Sequence, residues 1–161
     1  MKFVTLSGIA SVVLMQALPA QSPAPLTVIV EGVARSVPAA SLRSLPRDTM
    51  QLIFHDQPAV TYEGISLAAI LKVVGVRTDS LRGPALATRI VTESSDGYRV
   101  VLALADLDPS LGGRRILLAD RMDGKPLLAA EGPWRLLVGG DVRPSRSARQ
   151  VLRIRIATEP R

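Results

Sequence analysis

The stretch IVTESSDGYRVVLALADLDPSLGGRRILLADRMDGKPLLAAEGPWRLLV, running from Ile90 to Val138, decides the fold class. It holds two turn signals, Asp96-Gly97 and Asp123-Gly124, each set between β-prone runs. Glycine reaches positive φ without steric cost, so an Asp-Gly pair in that setting predicts a strand–turn–strand unit. Ile90–Thr92 and Tyr98–Ala103 are the arms of the first. Arg115–Ala119 is a strand of buried type, and Gly132-Pro133 leads into another over Trp134–Val138. Leu104–Leu111 has room for one short helix or turn, which Gly112-Gly113 breaks.

N-terminal to this stretch, Leu26–Glu31 is a β-rich run closed by Gly32, and Val33–Val37 returns as a second strand. Pro38–Leu45 has helical spacing at Leu42 and Leu45, and Pro46 stops it. Thr49–Phe54 is a strand, His55-Asp56-Gln57-Pro58 a turn, and Ala59–Tyr62 continues extended. Ser66 caps the clearest helix, in which Leu67, Ile70, Leu71 and Val74 form one apolar stripe at i, i+3, i+4 and i+7. Gly75 ends it. Residues 77–86 form a loop with room for a helical turn. C-terminal to the stretch, Arg149–Ile156 alternates: Leu152, Ile154 and Ile156 point to one face, Arg153 and Arg155 to the other. Many short strands with few helices predict an α+β domain with a mixed, mostly antiparallel sheet and a few short helices.

Composition narrows the chemistry. The chain has 161 residues, 47% of them apolar, enough for one packed core. Only 3% are aromatic, so that core is built from Leu, Ile, Val and Ala. There is no cysteine, which excludes disulfides, cysteine-ligated zinc, iron–sulfur clusters and thiol nucleophiles. The single histidine, His55, excludes a multi-histidine metal site. Ser66, Ser94 and Ser95 lack a nucleophile-elbow pattern. The sequence therefore assigns no catalytic residue and no metal ligand.

Residues 1–20 read as a signal peptide, with Lys2 as the positive end, Phe3–Leu14 as the apolar stretch and Ala20 at the cut. Residues 21–25 read as a flexible mature N-terminus, and 26–161 as the single domain. No later stretch is long and apolar enough to span a bilayer, so the expected location is periplasmic or secreted. Loss of Lys2 lowers the formal charge from +6 to +5. The excess concentrates between Asp141 and Arg161, where six arginines face two acids, Asp141 and Glu159. Such a patch attracts an anionic small molecule or an acidic protein face. Nucleic acid is not an expected partner, because interleaved aromatics are missing. The candidate ligand-binding residues are Arg135, Arg143, Arg146 and Arg149, with Arg114 beside the Gly112-Gly113 break, Tyr98 at the hairpin, and His55 beside Asp56. Glu131 and Asp141 are acids placed to neutralise some of these arginines.

The order of motifs resembles the sulfite-oxidase-type "oxidoreductase molybdopterin-binding" domain in its short, exported form. The matching pieces are Thr27–Gly32 leading to Ser41–Pro46, Tyr62–Leu67 opening the helix, and Ser95–Tyr98 at the hairpin. Leu117–Ala119 with Asp123–Leu127, Gly132–Leu136, and Arg149–Val151 before the last strand complete the set, over about residues 26–157. The resemblance implies a sulfite-oxidase-like fold and a molybdopterin ligand. In catalytic members of that family the molybdenum is also bound by a protein cysteine thiolate, and this sequence contains none. Three expectations follow: a non-catalytic binding or accessory module, a molybdoenzyme with unusual ligation, or an envelope interaction protein using the arginine-rich edge.

Overall fold

The computed structural model describes residues 25–53 and 58–158. The segment 1–20, residues 21–24 and His55 lie outside them. The described chain forms two five-stranded sheets. The first has the order β2-β1-β10-β5-β6, from Leu26–Val30 (β1), Val33–Val37 (β2), Thr88–Ser94 (β5), Arg99–Ala103 (β6) and Val151–Thr158 (β10). The second has the order β3-β4-β7-β8, from Arg47–Leu52 (β3), Val60–Ser66 (β4), Ile116–Met122 (β7) and Lys125–Pro126 (β8), with Arg135–Val138 (β9) also on β7. Among the described strands, β1 runs parallel to β10, and every other pairing is antiparallel. The α+β expectation holds, with its strands divided between two sheets.

Local chemistry explains the elements. The helix α2, Leu67–Val73, buries Leu67, Ile70 and Leu71 completely. It ends in the double closure of a Schellman motif: Val76 N–H donates to Leu71 O, and Gly75 N–H to Lys72 O, both at 3.0 Å. Gly75 takes the positive φ of 81° which that motif needs. At Asp123-Gly124 both residues have positive φ, 49° and 74°, as a two-residue hairpin turn of the primed type requires. The first helix, α1, is one turn over Ala39–Arg43 and seats Leu42 in the core.

The main core lies between the inner faces of the two sheets and α2. It contains Leu26, Val28, Ile65, Ile70, Ile90, Leu118, Trp134, Leu136 and Ile154. A second, smaller cluster of Met50, Tyr62, Leu117, Ala119 and Leu137 covers the other face of the second sheet. Strands β7 and β9 are thus buried on both faces where they pair, which is why 116–119 and 136–138 read as continuous apolar runs rather than alternating ones.

One expectation is corrected. Leu152 does not share a face with Ile154 and Ile156: it is 46% exposed, while Val151 is fully buried. The register with β5 shifts between Val151 and Arg153, so Leu152 is the extra residue of a β-bulge. Gln150, just before it, takes a positive φ of 50°. The bulge breaks the period-two alternation and turns Val151 inward.

Candidate functional site

The 112–115 loop is fixed from below by Asp108. Its carboxylate is fully buried and accepts the Leu81 N–H at 2.7 Å, the Ser110 N–H at 2.8 Å and the Ser110 hydroxyl at 2.7 Å. Its backbone oxygen accepts the N–H groups of Leu111, Gly112 and Gly113. The Leu81 N–H, then the Ser110 hydroxyl, hold the Asp108 carboxyl below its ordinary value despite burial. Beyond this anchor the loop presents Arg114 and Arg115.

These two arginines wall a cleft of about 750 Å³. Its other sides are the β3 stretch 49–52, Thr61 of β4 and the Gly139-Gly140 turn that follows β9. Arg115 Nη2 donates to both Asp48 carboxylate oxygens, at 2.9 and 3.1 Å, and to Thr49 O at 2.7 Å. Arg114 Nη1 donates to Gly139 O at 3.2 Å and to Asp141 Oδ1 at 2.9 Å. The same Asp141 accepts Arg146 Nε at 2.8 Å and a second bond from Arg146 Nη2. Two guanidiniums therefore share one carboxylate, and Asp106 adds a second negative charge near Arg146. Asp141 also holds Arg146 above the ordinary guanidinium value, so the Arg146 charge is permanent.

The predicted residues divide. Arg114 and Arg146 come together through Asp141, and Arg114 reaches the cleft. Arg135 stands in β9, at the opposite end of that strand from Gly139-Gly140. It is buried, pairs with Glu131, and places its guanidinium 5.2 Å from the centre of the Tyr62 ring. Burial raises the Tyr62 phenol above its ordinary value, and the nearby Arg135 charge opposes that rise. Tyr98 is committed to structure: its hydroxyl donates to Ser145 O at 2.6 Å, tying the β5–β6 hairpin to the 141–149 loop. Arg143 and Arg149 are exposed and have no ion-pair partner among the described residues. His55 lies outside the described residues. The Asp96-Gly97 and Asp123-Gly124 carboxylates serve their turns, accepting the N–H groups of Tyr98 and Thr61 at 2.9 and 3.0 Å. Sequence reasoning did not include Thr49, Gln51 or the Gly139-Gly140 turn, which close the cleft from strands far away in the chain.

The donor set can be tested against a molybdenum–pterin centre of the kind the resemblance implies. It does not fit. The chain supplies no thiolate, and no group of three or more His, Cys, Asp or Glu side chains among the described residues is arranged to hold a metal. The cleft walls offer guanidiniums, hydroxyls, an amide and backbone groups, which suit an oxyanion rather than a soft metal.

No family model matches the sequence, and no curated protein does. Among solved structures, the crystal structure of the sulfane dehydrogenase SoxCD from Paracoccus pantotrophus is similar to this chain, with a TM-score of 0.64 at 16% identity. The likeness covers 89% of this chain and 40% of that one, so the chain spans less than half the length of the protein it matches. At this identity the likeness is one of fold alone: the chain shares the fold of part of that sulfane dehydrogenase.

Proposed function

We propose that this chain is an exported, non-catalytic binding module that holds an anionic small molecule in the cleft walled by Arg114 and Arg115. The observation that carries the reading is the donor set of that cleft: Arg114 and Arg115 line it together with the hydroxyls of Thr49 and Thr61 and the Gln51 amide. The ligand class is a phosphate ester or a free carboxylate, which guanidinium forks and hydroxyls bind without a metal. A redox reaction of the molybdenum type is set aside because the thiolate that such a centre needs is absent from the sequence. A shared fold does not bring its reaction with it. Export rests on residues 1–20 and their signal-peptide pattern.

Three measurements test this on the full chain expressed with residues 1–20 in place. Intact mass of the exported protein should show loss of about the first twenty residues. Metal analysis of the same material should find no stoichiometric molybdenum and no released pterin. Calorimetry with glycerol phosphate should show binding that falls about tenfold in Arg114→Gln/Arg115→Gln, the loss expected when a charge-assisted contact goes. Molybdenum at one per chain with a pterin, or glycerol phosphate binding unchanged in the double variant, overturns the reading.

A further inference from the structure

The outer face of the first sheet carries a second, independent feature. Strand register places Thr27, Arg153, Glu93 and Arg99 in one row across β1, β10, β5 and β6. The next row on the same face is Ile29, Arg155, Val91 and Val101. The alternate residues of these strands, among them Val28, Ile154, Thr92 and Val100, are buried in the core. The two rows therefore face away from it.

Three arginines converge there on one carboxylate. Glu93 lies 2.8 Å from Arg155 Nε, 3.2 Å from Arg153 Nε and 3.8 Å from Arg99 Nε. The Glu93 side chain is 13% exposed, whereas Arg99, Arg153 and Arg155 are 69%, 45% and 48% exposed. Two positive charges are in excess, and each arginine comes nearest to Glu93 through its Nε. The terminal nitrogens of all three forks have no hydrogen-bond partner among the described residues. Beside them Val101 is 58% exposed, in a row with Val91 and Ile29.

We propose that this face docks an acidic protein surface. An apolar strip flanked by arginines, with no lysine in either row, matches the make-up of protein interfaces, where arginine is enriched and lysine depleted. Arg153 and Arg155 lie two residues apart on β10 and Arg99 two strands away on β6, so the three planar forks rise from backbone positions about 7–12 Å apart, a spread that suits several carboxylates at once. Neither row holds an aromatic side chain on which nucleic acid bases could stack. This inference rests on a face separate from the Arg114 cleft, and it stands whether or not that cleft binds an anion.

The test uses a glutamate-rich helical peptide as probe, with phosphatidylglycerol vesicles in parallel. Arg99→Gln/Arg153→Gln/Arg155→Gln is compared with an equal-charge control, Arg43→Gln/Arg143→Gln/Arg149→Gln. The face variant should lose peptide affinity about tenfold more than the control. Glu93→Gln, which removes the shared carboxylate, should tighten binding. Circular dichroism and melting identify any variant that fails to fold, in which case Glu93→Gln alone decides by the sign of its effect. Equal losses in the two triple variants, weaker binding in Glu93→Gln, or a stronger face-dependent affinity for the vesicles than for the peptide overturns the proposal.

Discussion

Asp108 and Leu81 lie 27 residues apart in the sequence, yet the buried Asp108 carboxylate accepts the Leu81 N–H at 2.7 Å. This bond clips the loop after α2 to the loop that carries Arg114. The Asp108 carboxyl is depressed below the value of an unfolded aspartate, which is about 3.9. A group with a lowered folded-state value stabilises the fold above its unfolded-state value, and that contribution is lost as pH falls through the folded-state value. Asp108→Asn should therefore be less stable than the parent at neutral pH, with the difference shrinking in acid. Urea unfolding at pH 7 and at pH 3 measures this, and a constant difference would contradict it.

Gly64 sits where β4 presses on β7, at a register shift between Glu63 and Gly64. A Cβ there would come within 2.5 Å of Ala119 Cα and closer still to Leu118 O, both backbone atoms that cannot swing aside. Gly64→Ala should cost about 1–3 kcal/mol or more, the range for overpacking a closed site. Denaturant titration gives the value, and a neutral result would mean that the two strands separate freely.

The Arg135–Glu131 pair is buried, with side-chain exposures of 8% and 20%. Glu131 Oε2 is buried with no hydrogen-bond partner among the described residues, so the pair is incompletely satisfied. Glu131→Ala leaves the guanidinium without its carboxylate and should cost about 3–5 kcal/mol. Replacing both residues by leucine should cost far less, because a buried ion pair and well-packed apolar groups are close in free energy. Unfolding of the single and double variants separates these terms. A double variant as unstable as Glu131→Ala would show that the pair itself stabilises the fold.

The bulge in β10 assigns opposite roles to neighbours. Val151 is fully buried and Leu152 is 46% exposed. Val151→Ala should cost about 2 kcal/mol through lost burial and the cavity left behind. Leu152→Lys should change stability by less than about 0.5 kcal/mol. The reverse ranking would restore simple alternation along the strand.

How much of this was readable in advance depended on how local the cause was. Helix α2 announces itself, because its stripe and its closing Gly75 lie within nine residues of one another. The two Asp-Gly turns are equally local. The Leu152 misreading arose because a bulge is set by pairing with β5, and pairing is invisible along a single strand. The candidate site fared worse for the same reason. Arg114 and Asp141 are 27 residues apart, and Arg155 and Glu93 are 62 apart, so no spacing rule joins them. Tyr98 looked like a polar contact for a ligand, but its hydroxyl meets a carbonyl 47 residues away. An arginine count recorded the charge of the C-terminal stretch without recording which charges were already matched by acids.

The central strand of the first sheet, β10, follows all the other described strands in the chain. Until it arrives, β1–β2 and β5–β6 are separate two-stranded ribbons, and such hairpins are marginal in water. β10 joins them by pairing with β1 on one side and β5 on the other, across most of the chain's length. Nascent chains therefore gain half of their architecture in a single late step, a slow one by the rule that distant contacts delay folding. A stop codon before Val151 leaves both ribbons without the strand between them.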